Sequence, residues 1–364
     1  MNQVRFMEKL LDGVDVKWKK LGDVVEIKNG KDWKKLNKGD VPVYGSGGIM
    51  TYVDKASYTK VSVLIPRKGT ITNIFYTENP FWNVDTIFYT KIDEDKVVPK
   101  YFYYFMSNFN LESLSTDSTR PSLTQTILKK INIPIPPLEV QTEIVRILDN
   151  FTELTAELTA ELTARKKQYS YYRDQLFSFN DGDVEWKSLG DVALIGTGKH
   201  DTKDALDDGN YIFYARGRTP LKLNVFDFDE TAIITAGDGV GVGKVFHFTK
   251  GKYALHQRAY RIVPNKDIEA RYLYHYILAH FYMYIKKVSV SSSVTSLRRP
   301  MFLNFPIPIP PIKKQNEIVA ILDKFDTLIN SISEGLPKEI GLRQKQYEYY
   351  RDLLLSFPKP EVEE

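Results

Sequence analysis

A long stretch without glycine or proline constrains this chain more than any other feature of its sequence. It begins after Pro137 and ends at Phe179, shortly before Asp181 and Gly182. Seam residues inside it recur at alternating spacings of three and four, the heptad pattern of a helix that packs along another helix. At 1.5 Å per residue the helix is about 60 Å long, and it cannot bury its seam alone. The seam, broken only at Thr155 and Arg165, comprises Ile144, Leu148, Phe151, Thr155, Leu158, Leu162, Arg165, Tyr169, Tyr172, Leu176 and Phe179.

A tetrapeptide repeat occupies the middle of this stretch. Residues 153–164 read Glu-Leu-Thr-Ala three times in succession. Glutamate, leucine and alanine favour helix, and threonine costs little there. The repeat therefore predicts a regular helical spacer.

The predicted partner helix lies in the same chain, because the sequence repeats itself. Residues 133–138 return as 307–312 with the pattern Ile-Pro-Ile-Pro-Pro, and 141–151 return as 315–325. Residues 167–174 return as 345–352 with the pattern Lys-Gln-Tyr-x-Tyr-Tyr-Arg-Asp. Upstream, 16–24 match 184–192. The chain is therefore two tandem copies of one unit, a globular segment followed by a long helix.

Composition agrees with two globular domains plus a helical part. The chain has 364 residues, 43% of them hydrophobic, which suffices for real cores. It has no cysteine, which excludes disulfides and thiolate metal sites and is typical of a reducing cytoplasm. No apolar run approaches a membrane-spanning length, and the N-terminus lacks a signal-peptide pattern. The net charge of +4 permits nucleic-acid binding without proving it.

Short β-branched runs separated by turns predict a sheet in each globular segment. Examples are residues 24–27 and 61–65 in the first copy and 232–235 in the second. Aromatic segments at 101–106 and 271–277 predict a buried helix in each copy. We expect an α+β fold with a curved, mixed or mostly antiparallel sheet. In the second long helix, Pro337 predicts a break, with a new start toward Ile340.

Two motifs invite an enzymatic interpretation, and neither is convincing. The glycine-rich segment 237–243 follows a predicted strand, but its glycines occupy every second position and do not form a dinucleotide-binding pattern. Its counterpart in the first copy is Arg67-Lys68-Gly69, so a hairpin on a variable binding surface is the better interpretation. Glu185 and Lys187 resemble part of a nuclease motif, but the first copy has Lys17 in place of Glu185. We therefore expect no catalytic site in this chain.

Basic and amide side chains cluster at predicted turns in both copies. Arginine and lysine bind guanine edges or phosphates, and asparagine and glutamine pair with adenine. All five histidines lie in the second copy without metal-ligand spacing, which indicates structural roles and no metal site. The candidate DNA-binding residues are Arg67, Lys68, Asn73, Asn83 and Arg120 in the first copy, and Arg216, Arg218, Lys244, His256, Gln257, Arg258, Arg298 and Arg299 in the second.

The repeated motifs resemble the specificity subunit of a type I restriction-modification enzyme. The resemblance covers nearly the whole chain and depends on the Ile-Pro-Ile-Pro-Pro entry, the Gln-x-Glu-Ile-Val-x-Ile-Leu-Asp helix, the Tyr-rich segment and the Thr-Ala-Glu-Leu repeat. It implies two tandem target recognition domains, at 1–136 and 181–310, each reading one half of a bipartite DNA sequence. It also implies two long antiparallel helices, at 137–180 and 311–364, that form a coiled-coil spacer with internal twofold pseudo-symmetry.

The resemblance further implies a non-catalytic cytoplasmic subunit of a larger complex. Two methyltransferase subunits and two restriction (motor) subunits join it on double-stranded DNA. S-adenosylmethionine, ATP and Mg are expected in those partners, and no cofactor is expected in this chain. Within the Tyr-rich segments, Tyr171 and Tyr349 lie off the seam, so we expect them to dock methyltransferase subunits or to pack on the adjoining globular segments.

Two other functions remain open at this point. One is an orphan DNA-modifying enzyme that uses Glu185 and Lys187 or the glycine-rich turn, and it predicts activity on DNA without partner subunits. The other is a coiled-coil adaptor with two protein-binding heads, which predicts no salt-dependent DNA binding.

Overall fold

The computed structural model describes residues 10–11, 13–115, 121–180, 182–288 and 298–358. The chain divides into two compact units. Unit 1 comprises residues 1–157 together with 340–364, and unit 2 comprises residues 158–339. Both predicted spacer helices, 137–180 and 311–364, are therefore divided between the two units.

Unit 1 contains three small sheets and short helices. β1 (Lys17–Lys20) pairs antiparallel with β9 (Asn132–Ile135). A four-stranded antiparallel sheet has the order β2 (Val25–Lys28), β8 (Ile87–Ile92), β5 (Ser62–Pro66), β6 (Phe75–Thr77). A three-stranded sheet has the order β4 (Gly48–Val53), β3 (Lys38–Gly45), β7 (Trp82–Asn83), in which β3 and β7 are parallel. The helices of this globular part are α1 (Pro99–Asn108) and α2 (Gln125–Lys129), with 3-10 turns at Leu21–Asp23 and Leu111–Leu114.

Unit 2 contains one two-stranded sheet and one larger, six-stranded sheet. β10 (Glu185–Ser188) pairs antiparallel with β17 (Pro306–Ile309), in the same way as β1 with β9. The six-stranded sheet has the order β11 (Ala193–Thr197), β16 (Ala259–Pro264), β14 (Phe228–Ala236), β15 (Phe246–Leu255), β12 (Tyr211–Tyr214), β13 (Leu221–Leu223). Only the β12–β15 pair is parallel. The helices are α4 (Leu189–Val192), α5 (Ala270–Val288), α6 (Arg299–Leu303) and α7 (Ile312–Asn330), with a 3-10 turn at Thr202–Asp204.

The long helices follow the sequence pattern closely. α3 extends over Leu138–Leu176 without interruption, as the absence of glycine and proline predicts. The predicted break in the second helix is present, but it lies earlier than expected. α7 ends at Asn330 and α8 (Gly335–Leu354) begins before Ile340. Pro337 is tolerated because it lies in the first turn of α8, where a backbone N–H has no helical partner.

In unit 1 the beginning of α3 packs into the core. Ile144 and Leu148 are fully buried there and share a cluster with Tyr350 and Leu354 of α8. Phe151 stacks on Tyr350 with 5.3 Å between ring centroids and 21° between planes. The seam predicted from the heptad pattern is therefore the face of α3 that packs in this unit.

In unit 2 the end of α3 packs on α7. Tyr169 is buried, and its ring lies 6.1 Å from Phe325. Tyr172 stacks on the same phenylalanine at 5.9 Å. Ile318 and Leu322 of α7 are fully buried in the same cluster. Residues from both repeat copies thus form one core.

A buried glutamine ties each globular part to its helix. The Gln141 amide donates to Pro136 O and Lys96 O and accepts from Val98 N, and it is fully buried. Gln315, 1% exposed, donates to Pro310 O and accepts from Glu269 N. Since a buried amide is stable only when its hydrogen bonds are made, each glutamine fixes the junction between strand and helix.

Among the described helices, none has the length and apolar character that crossing a bilayer requires.

Candidate nucleic-acid interface

Four loops of unit 2 come together beyond the strand ends. We call them the unit 2 loops and define them as residues 198–201, 215–218, 237–245 and 256–258. Backbone hydrogen bonds join them: Gln257 N donates to His200 O at 2.9 Å, and Gly237 N donates to Arg258 O at 2.9 Å. His247 Nε2 lies 3.1 Å from Gly217 O. Residues far apart in sequence therefore form one surface.

An ion-pair fork organises the arginines of this surface. Asp238 accepts from Arg216 Nη1 at 2.9 Å and from Arg258 Nη1 at 3.2 Å, with one carboxylate oxygen for each. Burial opposes the charge of Asp238, but the two arginine hydrogen bonds outweigh it and lower its pKa. The carboxylate is therefore ionised at neutral pH and holds the two guanidinium groups side by side.

Other predicted residues of unit 2 lie on the same loops. Arg218 and Lys244 are exposed, and the Lys244 ammonium lies 5.4 Å from the ring centroid of Tyr282. Gln257 is exposed and donates from Nε2 to Asp201 at 3.0 Å. Cationic and amide groups thus lie together on the unit 2 loops, a composition that suits phosphate and base-edge contacts.

His256 differs from its neighbours and has a structural role. It is 2% exposed, and its Nδ1 accepts from Arg258 N at 2.9 Å. Burial lowers the pKa of His256, so its ring is neutral at neutral pH. The prediction that His256 contacts DNA is corrected on these grounds, because the side chain is buried and accepts a hydrogen bond from the backbone of the turn.

Arg298 and Arg299 belong to a different part of unit 2. Arg298 is exposed and immediately precedes α6. Arg299 donates from Nη2 to Ile195 O at 3.3 Å, in the middle of β11. No contact among the described residues joins this pair to the Asp238 fork.

Unit 1 builds an equivalent surface from five loops, which we call the unit 1 loops: residues 29–32, 45–48, 67–73, 83–86 and 121–123. Arg67 N donates to Thr86 O at 2.8 Å, and Leu123 N donates to Arg67 O at 2.8 Å. Lys68 forms an antiparallel bridge with Ser122 and is exposed, as is Asn73. The Arg67 guanidinium lies 6.0 Å from the Phe88 ring centroid.

Asn83 does not belong to the exposed set. It is fully buried, donates from Nδ2 to Ile87 O at 2.9 Å and accepts from Ser57 Oγ at 3.0 Å. Because these hydrogen bonds are made inside the protein, the Asn83 side chain is not available to pair with a DNA base. The prediction that Asn83 contacts DNA is therefore corrected. Arg120 lies outside the described residues.

The two copies share a glycine–lysine pair that the sequence argument missed. A Cβ on Gly30 would lie 2.0 Å from Val84 O, and one on Gly198 would lie 1.8 Å from Leu255 O, so neither position accepts a side chain. Lys31 N and Lys199 N follow with equivalent backbone bonds, to Asn83 O and Leu255 O. Both lysines are exposed and lie on the unit 1 loops and the unit 2 loops, respectively. When the two copies are aligned so that Gly22 matches Gly190, Gly30 also matches Gly198 and Lys31 matches Lys199. The alignment of the repeat would therefore have revealed this pair.

The residues of the nuclease-like motif lie on one strand of unit 2. Glu185 and Lys187 lie on β10 and pair with each other at 3.1 Å. Among the residues that the structure describes, no three histidine or carboxylate side chains converge as a metal site would need.

The tyrosines predicted for partner binding have equivalent positions in the two units. Tyr171 is 62% exposed and Tyr349 is 55% exposed. Each packs edge-on against the following tyrosine, at 5.5 Å for Tyr172 and 5.3 Å for Tyr350. The inner tyrosine of each pair stacks on a phenylalanine, and the outer one faces solvent.

Comparison with known proteins identifies the family. The profile of the type I restriction modification DNA specificity domain matches residues 13–165 and again 182–342. The EcoR124I/EcoR124II type I restriction enzyme specificity subunit of Escherichia coli is 36% identical, over 100% of this chain and 99% of that one. A putative type I specificity subunit of Haemophilus influenzae is 34% identical, over 98% of this chain and 99% of that one.

A solved structure shares the fold. The type I restriction-modification S subunit of M. genitalium aligns with a TM-score of 0.69 and 16% identity, over 96% of this chain and 98% of that one. Together with the duplicated profile match and the full-length sequence identity, this likeness leads to one conclusion: the chain belongs to the family of type I restriction-modification specificity subunits.

Proposed function

We propose that this chain selects the DNA target of a type I restriction-modification complex, with each unit reading one half of a bipartite, asymmetric sequence. The observation that carries the proposal is the pair of loop surfaces with exposed cations, one in each unit of a chain that belongs to this family. Cations beside exposed amides supply both phosphate attraction and base-edge readout.

The asymmetry of the target follows from differences at equivalent positions. Gly69 and Gly239 have similar left-handed conformations, with φ of +81° and +79°, and each follows the corresponding strand of its unit. The residue before the glycine is Lys68 in unit 1 and Asp238 in unit 2. Two adjacent cations in unit 1, and a carboxylate that aligns two arginines in unit 2, present different patterns to DNA, so two different half-sites are expected.

The residues proposed to contact DNA are the exposed and half-buried members of the predicted set, with the two lysines added. Lysines contact phosphates as point charges, whereas arginines can also read guanine through two hydrogen bonds. Asn83 and His256 are left out because they are buried. The proposed set is Lys31, Arg67, Lys68 and Asn73 in unit 1, and Lys199, Arg216, Arg218, Lys244, Gln257 and Arg258 in unit 2, with Arg298 and Arg299 as outlying phosphate contacts. Arg120 remains a prediction.

We further propose that the helices act as spacer and scaffold. α3, α7 and α8 form the coiled-coil spacer of an internally duplicated chain, and methyltransferase subunits dock on it at Tyr171 and Tyr349. Restriction subunits join through that complex in the cytoplasm. The chain itself is non-catalytic, and S-adenosylmethionine, ATP and Mg act in the partner subunits.

Modification-sensitive sequencing tests the proposal directly. The chain is expressed with its methyltransferase partner in a host that lacks other methyltransferases, and the methyltransferase alone serves as the matched control. We expect a bipartite methylated motif with an unspecified gap only when both are present. A motif that is methylated without this chain, or DNA binding that does not depend on salt, contradicts the proposal.

A further inference from the structure

An aliphatic side chain stands at the tip of the glycine-rich loop in unit 2. Val240 is 98% exposed, compared with 87% for Ile332 and 50% for Val225. Single exposed apolar residues are common on protein surfaces, so exposure alone assigns no role. The position of Val240 becomes informative because of the loop that carries it.

The loop around Val240 is held by a dense set of hydrogen bonds. Gly237 N donates to Arg258 O at 2.9 Å, and Val245 N donates to Gly241 O at 2.9 Å. Val242, two residues after the tip, is 2% exposed and anchored in the core of unit 2. The backbone on both sides of Val240 is therefore fixed, and the valine is displayed at a defined place.

The valine lies on the same loop as the carboxylate of the fork. Asp238, two residues before it, binds Arg216 and Arg258. A Cβ on Gly241, the residue after it, would lie 2.7 Å from Arg216 O, so the loop packs directly on the arginine backbone. An apolar group therefore projects from a surface whose other exposed groups are cationic or polar.

We propose that Val240 reads the methyl group of a thymine in the half-site bound by unit 2. In the major groove the thymine C5-methyl is the apolar feature that distinguishes a base pair, and small apolar side chains contact it. Side chains that wedge between base steps are usually larger, such as phenylalanine, leucine or methionine. A short β-branched side chain on a rigid tip suits contact with a methyl group better than insertion. The inference deepens the proposed function and rests on it.

Unit 1 has a different residue at the same place in its loop. Thr70 follows Gly69 as Val240 follows Gly239, and Thr70 is also exposed. A threonine adds a hydroxyl that can donate to or accept from a base edge. The two loops therefore differ in chemistry at their tips, so we expect the two half-sites to be read differently there.

Replacing a thymidine of the DNA by deoxyuridine removes the thymine methyl and leaves every Watson–Crick and groove hydrogen bond in place. The full-length chain, purified with its methyltransferase partner, is titrated with duplexes of its motif in which each thymine of the unit 2 half-site is replaced in turn. For one position we expect affinity to fall about fourfold, the effect of one buried methyl-sized group. Val240→Ala should bind the thymine and deoxyuridine duplexes equally, and Val240→Thr, which keeps one methyl, should lie between.

Ile332→Ala is the matched control, because it truncates an exposed aliphatic side chain of unit 2 outside the loops and should keep the fourfold effect. The inference is overturned if the half-site contains no thymine, if no deoxyuridine position weakens binding, or if Val240→Ala retains the full loss. Those outcomes, obtained with a complex that still prefers its motif over random DNA, leave the proposed function intact. A complex without any such preference overturns both.

Discussion

At the scale of single residues, we expect the Asp238 fork to control how its two arginines contact DNA. Asp238→Asn removes the charge that pairs with Arg216 and Arg258, so both guanidinium groups become available to phosphates. We expect tighter binding to random DNA and weaker preference for the motif. The slope of log affinity against log salt should steepen by about one charge. Titrations on motif and random duplexes at several salt concentrations measure both quantities.

Asp267→Asn is the control for that experiment, because it removes an exposed carboxylate between β16 and α5, away from the fork. It should change neither the preference nor the slope. An Asp238→Asn complex with undiminished preference for the motif would show that the arginines are oriented without the carboxylate.

We expect four buried or half-buried histidines to make the stability of unit 2 sensitive to mild acid. His275 is 1% exposed, with its Nε2 2.6 Å from Asp323, and burial lowers its pKa; burial also lowers the pKa of His247, His256 and His280. A histidine whose folded pKa lies below the unfolded value of about 6.5 binds fewer protons when folded. The free energy of unfolding of unit 2 should therefore fall as the pH drops below that value.

Hydrogen exchange, corrected for intrinsic rates, measures this effect separately in each unit at pH 7 and pH 5. Unit 1 has no histidine, so its protection should change less over this range. In His275→Gln, the amide can still donate to Asp323 and does not titrate, so the difference between units should shrink. Equal losses of protection in both units would contradict the prediction.

At the scale of elements, we expect the uninterrupted α3 to set the length of the proposed spacer. One added Thr-Ala-Glu-Leu repeat lengthens a helix by about 6 Å and leaves a net rotation of about 40°. A helix absorbs such a shift by a local change in winding. Since DNA rises about 3.4 Å per base pair, the unspecified gap in the motif should grow by about one or two base pairs.

Duplication or deletion of residues 155–158, followed by sequencing of the methylated motif, tests the spacer. Both half-sites should stay the same in each variant. A changed half-site beside an unchanged gap would refute the spacer role.

We expect the exposed tyrosines, Tyr171 and Tyr349, to bind a partner subunit, whereas the tyrosine that follows each of them packs within the chain. Tyr171→Glu and Tyr349→Glu should weaken co-purification of the methyltransferase and leave the melting temperature of the isolated chain unchanged, because both rings are exposed. Tyr350→Ala, by contrast, removes a buried ring that stacks on Phe151 and should lower the melting temperature. Thr163→Glu on the exposed face of α3 is the control for added charge. A large loss of melting temperature in Tyr171→Glu would favour a purely structural role.

At the scale of the whole molecule, we expect each unit to recognise its own half-site independently of the other unit. Replacing residues 16–133 by the corresponding segment of another family member should change one half of the methylated motif and preserve the other. The reason is that the unit 1 loops lie entirely within this segment, and the unit 2 loops lie outside it. If both halves change, or neither does, the units do not read independently.

The sequence by itself determined the duplicated plan, the uninterrupted α3 and the family. These follow from local rules: helix periodicity, the backbone restrictions of proline and glycine, and repeated motifs can be read without knowing any distant contact. It also predicted buried helices at α1 and α5 and a break near Pro337, although the break lies earlier because proline is accepted in a first helical turn.

Only the tertiary structure decided which polar residues are available to DNA. Asn83 and His256 look like their exposed neighbours in sequence, but packing buries both and gives their hydrogen bonds to the protein itself. The same holds for the Asp238 fork, whose arginines come from separate loops 22 and 20 residues away. Burial and such pairing depend on long-range packing of strands and loops, and no local pattern of residue types encodes them.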